Sequence, residues 1–114
     1  MKTIHPKSTS LSQWISRSPA VDNVCRKILF SKLKQFEEGR LIIDDQSGDS
    51  MVTYEFGNPA GELQVRVTVN RTSFYSRTLL GGSIGNAESY IDGDWQTDDL
   101  TTLIRVFVRT RHLL

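Results

Sequence analysis

Cysteine is nearly missing from this sequence. Cys25 is the only one in 114 residues, so no intrachain disulfide forms and no cysteine-rich metal site can be assembled. Long apolar runs are missing too: none approaches the roughly 20 residues that a bilayer-spanning helix needs. The opening stretch MKTIHPKSTSLSQW has no apolar block of the signal-peptide kind. Charge of one sign is also scarce in excess. Fourteen Lys and Arg against thirteen Asp and Glu leave a formal +1, whereas binding driven by phosphate attraction usually needs a larger basic surplus. Nucleic acid is therefore not an expected partner. The expected location is cytoplasmic, with peripheral contact at the inner membrane face left open.

The common chemical signatures are absent as well. There is no P-loop, dinucleotide fingerprint, HExxH metal motif or GxSxG elbow. His5 and His112 stand far apart, without a second histidine or cysteine at ligand spacing. Cys25 falls on an apolar helical stripe, which suits a buried small hydrophobe better than a nucleophile. No catalytic, cofactor-binding or metal-binding residue is assigned from these patterns.

What is present reads as one α+β domain spanning 20–114, preceded by an arm over 1–19. In the arm, Pro6 and Pro19 interrupt regular structure, and Trp14 and Ile15 offer anchoring contacts. Val21, Val24, Cys25, Ile28, Leu29, Leu33 and Phe36 recur at spacings of three and four, predicting a helix over Ala20–Glu38 that Gly39 terminates. Three strands follow: Leu41–Asp44, Met51–Phe56, and the clearest, in which Leu63, Val65, Val67 and Val69 share one face. Short turns favour a small antiparallel meander under the N-terminal and C-terminal helices.

A helix is expected over Ser73–Leu80, capped by Thr72 or Ser73, and a second over Ser83–Asp92 after Gly81–Gly82. In the second, Ile84, Ala87, Tyr90 and Ile91 are the expected inward positions, with Ser83 and Glu88 on the polar face. Asp98–Thr110 closes the domain as a helix capped by Thr97 or Asp98, with Leu100, Leu103, Ile104, Phe107 and Val108 on one stripe.

Two clusters invite a chemical reading. Gly81–Gly82–Ser83–Ile84–Gly85 suits a tight helix–helix connection or a small nest of backbone amides for an anion. Glu88, Asp92, Asp94, Asp98 and Asp99 surround Tyr90 and Trp95, where paired carboxylates suit a cation or acid–base work. Caps, turns and packing account for both clusters without chemistry, and that is the reading preferred on the residues alone.

The run from Phe74 to Trp95 resembles the N-terminal domain of the cyclopropane-fatty-acyl-phospholipid synthases and related S-adenosylmethionine-dependent methyltransferases. The matching positions are Phe74, Tyr75 and Arg77, then Gly82 and Gly85, Glu88 and Tyr90, and finally Asp92, Gly93 and Trp95, followed by Asp99 and Leu100. Gly39, Leu41, Gly48, Phe56 and Gly57 are similar to the family's strand region. Asn86, Ser89 and the ending Arg109–Thr110–Arg111–His112–Leu113–Leu114 depart from its usual pattern. The resemblance implies an accessory domain, not an enzyme on its own. S-adenosylmethionine belongs to a catalytic domain absent from this chain, for which too few residues remain after Arg109. It further implies lipid-substrate binding or interdomain docking, with Phe74, Tyr75, Arg77, Gly82, Gly85, Glu88, Tyr90 and Trp95 as contact candidates. Expected partners are a methyltransferase domain or subunit and a phospholipid surface. The competing expectation is a stand-alone interaction or oligomerisation domain, such as a homodimer, without a lipid role.

Overall fold

A computed structural model describes residues 19–110; the expectations for the arm with Trp14, for His5 and for His112 lie outside the described residues. The first helix, α1 (Pro19–Leu33), starts on a proline, whose fixed φ suits the first helical position. It buries Asp22, Cys25, Leu29 and Leu33 at spacings of three and four. Val24 and Ile28, expected on the same stripe, are exposed. The helix also ends earlier than expected. Tight bonds from the amides of Gln35 to Lys32 and of Phe36 to Leu33 close it, and Gly39 begins a strand instead of capping the helix.

Strands β1 (Gly39–Asp45), β2 (Val52–Gly57), β3 (Leu63–Val69) and β4 (Trp95–Thr97) form one sheet in the order β2-β1-β3-β4. The α+β expectation holds, but the meander does not. β2 is antiparallel to β1, and β3 lies on β1's other side, parallel to it. Leu63, Val65, Val67 and Val69 are all buried, so the most apolar strand takes an interior position between β1 and β4. To reach it, residues 58–62 cross the start of β1. A Cβ at Gly39 would overlap the Leu63 carbonyl, and one at Gly57 or Gly61 would overlap the backbone of Gly39. Those glycines permit the crossing because three stretches of backbone meet there without side chains between them.

The broken helix α2 (Ser73–Ile91) and α3 (Leu100–Thr110) complete the domain. Leu29 and Leu33 of α1, Phe74 of α2 and Leu103 of α3 meet over Leu41, Ile43 and Val67 around an apolar cavity of about 20 Å³. The opposite sheet face is polar. Arg40 bridges Glu55 at 2.8 Å, and Asp44 accepts from Arg66 at 2.7 Å and from Thr53 at 2.7 Å. On α3, Leu103 and Val106 are buried, whereas Leu100, Ile104 and Val108 of the expected stripe are exposed. Its cap is Asp99, not Thr97 or Asp98: the Asp99 carboxylate accepts the Thr102 amide at 3.0 Å and the Thr102 hydroxyl at 2.7 Å. Those bonds, the side-chain one foremost, hold the Asp99 carboxyl below its ordinary range. Among the described residues, no helix is long and apolar enough to cross a membrane.

Candidate functional site

The residues of the resemblance gather on α2 and the turn that follows it. Gly82, at φ 60° and ψ −142°, breaks α2 into two arms, which is the division the two expected helices imply. φ in this region favours glycine. Gly85 then lies against the Arg77 carbonyl, where a Cβ would overlap it. Asn86 ties the arms together by donating from Nδ2 to the Thr78 hydroxyl at 2.8 Å. Thr72 stands at the N-cap position, yet its hydroxyl makes no capping bond. It donates to Asp22 instead, at 2.9 Å.

Behind the second arm lies Asp94, 1% exposed. Its carboxylate accepts from the Ser73 hydroxyl at 2.7 Å and from Arg77 Nη1 at 3.1 Å, with Arg71 Nη1 at 3.7 Å. Its backbone carbonyl accepts the amides of Asn70 and Arg71, and its own amide donates to Ser89. Asp94 thus holds β3's exit, both ends of α2 and the β4 entry at one point. Arg77 is equally enclosed, and Nη1 also reaches Asp92 at 2.9 Å. Its Nε and Nη2 are buried without a hydrogen-bond partner among the described residues.

Trp95 is fixed beside this pair. Its indole N–H donates to the Asn86 carbonyl at 3.1 Å and to the Ser89 hydroxyl at 2.9 Å. Phe74 meets it edge-on at 5.9 Å between centroids, and Tyr90 lies tilted at 4.8 Å. Asn86 and Ser89, the departures from the family pattern, therefore serve as the indole's polar anchors. Phe74, Tyr75 and Trp95 are core residues, while Tyr90 is exposed at the margin. Glu88 is half-buried and makes no side-chain hydrogen bond or ion pair among the described residues.

A second buried polar set was not foreseen from the sequence. Asp22 accepts from the Thr72 hydroxyl and, at 2.6 Å, from Ser76. Tyr75 donates its phenol to Asp45 at 2.5 Å, and Asp45 also accepts from the amide and hydroxyl of Ser47. The only sequence signal was Asp22 itself, which shares the spacing of Cys25, Leu29 and Leu33. Burial, and then the Asp45 carboxylate, push the Tyr75 phenol well above its ordinary pKa. The unfolded chain loses this proton near pH ~10 and the folded chain only at higher pH, so this contribution is complete below that point and declines above it. Unfolding titrations should lose about 1.4 kcal/mol of stability per pH unit above pH ~10 from this group. Tyr75→Phe should remove that slope; an unchanged slope in the variant would assign it elsewhere. Cys25 is buried, and desolvation, then Asp22, raise its thiol pKa, a setting that disfavours the thiolate.

The largest correction concerns the second arm of α2. Ile84, Ala87, Tyr90 and Ile91, expected to point inward, are exposed, with Ile84 at 75% and Ile91 at 81%. The arm buries Gly85, Asn86 and Ser89 instead. The reason is local: Gly85 allows the close approach to Arg77, and Asn86 and Ser89 satisfy Thr78 and Trp95. An apolar face was left outside to place those three residues inside.

Among the described residues, no group of His, Cys, Asp or Glu is arranged to hold a metal ion. The acidic cluster is divided among separate tasks: Asp92 and Asp94 on Arg77, Asp98 on the Arg66 amide, Asp99 as a cap. The arrangement can fix backbone and display a surface. Comparison with protein-family models, curated proteins and solved structures finds no match.

Proposed function

We propose that this domain is a non-catalytic docking module that presents the second arm of α2 to an S-adenosylmethionine-dependent methyltransferase domain of the cyclopropane-fatty-acyl-phospholipid synthase kind, at or near its lipid substrate. The observation that carries this reading is the outward stripe of Ile84, Ala87 and Ile91, joined by Leu80 and Tyr90. Contiguous exposed apolar surface of this type marks a contact site, and the polar arm interior leaves the stripe no role in the domain's own core. The residues that resemble the family support it further, because they build and hold the hairpin that carries the stripe. Arg77, Asp94 and Trp95 position the arm; they do not reach a substrate. The same stripe also favours a second reading, self-association of the chain without a lipid role.

Mixing the purified chain with a separately produced methyltransferase domain of this class and vesicles of unsaturated phosphatidylglycerol separates the readings. The expected result is a complex by sedimentation and S-adenosylmethionine-dependent lipid modification, with no turnover by the chain alone. Ile84→Asp combined with Ile91→Asp should weaken the complex roughly a hundredfold, the scale of losing hot-spot contacts. Both positions are exposed, so stability should change by no more than about 0.5 kcal/mol per site. Turnover by the isolated chain would overturn the proposal. A stable dimer indifferent to lipid and to the methyltransferase domain would replace it with the second reading.

A further inference from the structure

A separate surface lies on the far side of the domain from β4, between α1 and β2. The outer edge of β2 pairs with no strand of the described residues, so its outward N–H and C=O groups form a template for another strand. Alongside it, α1 presents Arg26, Lys27, Phe30 and Ser31, and the turn that follows adds Lys34; with Thr53–Phe56 they enclose an open groove of about 640 Å³. The floor is aromatic: Phe30 lies tilted against Tyr54 at 4.7 Å and against Phe56 at 4.8 Å between ring centroids, and Arg26 Nη1 donates to the Tyr54 hydroxyl at 3.2 Å.

The charge of this groove is one-sided. Arg26, Lys27 and Lys34 line it, and none of them forms an ion pair among the described residues. The one acid on its wall, Glu55, is already engaged by Arg40 through Nε at 3.0 Å and Nη2 at 2.8 Å. A free strand edge beside a helix, with cations on the helix and a hydrophobic floor, is the setting in which an extended peptide is recognised by strand addition.

We propose that this groove binds an acidic peptide segment of a partner protein, added in extended form to the edge of β2, with its carboxylates against Lys27 and Lys34. Charge complementarity selects this occupant. Residues 1–18 carry Lys2, Lys7 and Arg17 and no acid, and residues 111–114 add Arg111, so these two segments do not supply the matching charge. A nucleic acid would answer the cations but not the β2 amides and carbonyls. This surface is independent of the stripe on α2, so either proposal can fail alone.

The test uses the full chain and a synthetic peptide of alternating glutamate and valine. Amide hydrogen exchange followed by NMR should show new protection at Thr53 or Glu55 when the peptide is added, and fluorescence anisotropy should show binding that weakens with salt. Lys27→Glu with Lys34→Glu should lower the affinity on the order of tenfold at low salt, while the thermal midpoint stays unchanged. A lysine–valine peptide should not bind, and an N-methylated acidic peptide, which cannot donate to the edge, should lose binding. Equal binding of the N-methylated peptide would overturn strand addition. So would Thr53 and Glu55 amides, which point away from β1, already protected in the free full chain, because the edge would then be covered by the chain or a second copy. Binding of single-stranded RNA or phosphatidylglycerol vesicles at this groove, with no binding of the acidic peptide, would overturn the assigned partner.

Discussion

Replacing Asp94 by alanine should cost about 3 kcal/mol of folding stability and lower the thermal midpoint by more than roughly 10 °C. Asp94 is almost fully enclosed and receives Ser73, Arg77 and the more distant Arg71. Its loss leaves the Arg77 guanidinium buried with a single remaining anion, Asp92, at the solvent margin. Removing one partner of a buried ion pair costs about 3–5 kcal/mol because the other charge stays desolvated. The low end applies since Asp92 remains, but two nitrogens of Arg77 already lack hydrogen-bond partners among the described residues, which leaves little capacity to adapt. The double variant Asp94→Ala with Arg77→Met should recover part of the loss, because no charge is then stranded. Equal instability of the single and double variants would show that the cost arises elsewhere, for example from the freed Ser73 hydroxyl. Unfolding in urea, with midpoint and slope measured together, makes that comparison.

Valine 67 gives the other large effect. Val67 lies on β3, is buried, and pairs with Ile43 of β1 and Thr97 of β4. It also lines the apolar cavity beneath the three helices, together with Leu29, Phe74 and Leu103. Val67→Asp removes about 1.5–3 kcal/mol of apolar burial and adds the penalty of an unpaired carboxylate among hydrocarbons. The sum is comparable with the whole stability of an ordinary domain, about 5–15 kcal/mol, so the variant should show no cooperative thermal transition. Arg66→Ala, on the polar face one residue away, should remain folded. A cooperative midpoint for Val67→Asp close to that of the unchanged chain would contradict the assignment of the sheet's inner face.

These two residues differ in how visible they were beforehand. Val67 declared itself through alternation: four apolar residues at period two, which mark the buried face of a half-buried strand. Asp94 did not. Within the motif it was one acid among several, and turn or surface roles explained it equally well. What distinguishes it is that Ser73, Arg77 and the amides of Asn70 and Arg71 all converge on it, and convergence is a property of the folded chain.

The same division runs through the domain. Local periodicity and turn chemistry determined that three helical segments and the strands β1, β2 and β3 occur in this order, that the fold is α+β, that α2 breaks at Gly82, and which face of β3 is inside; the short β4 and the early end of α1 were not among them. Each depends on neighbours within a turn or two, so the order of residues carries the information. The order of strands, the parallel pairing of β1 with β3 and the outward turn of Ile84 and Ile91 were decided by tertiary structure. Partners remote in sequence set them: Gly39 meeting Gly57 and Gly61, Thr78 and Trp95 claiming Asn86 and Ser89, and Asp22 held by Thr72 and Ser76. A polar side chain enters a core only when such partners satisfy it. Spacing alone shows that an arm has two faces; the available hydrogen bonds decide which of them is buried.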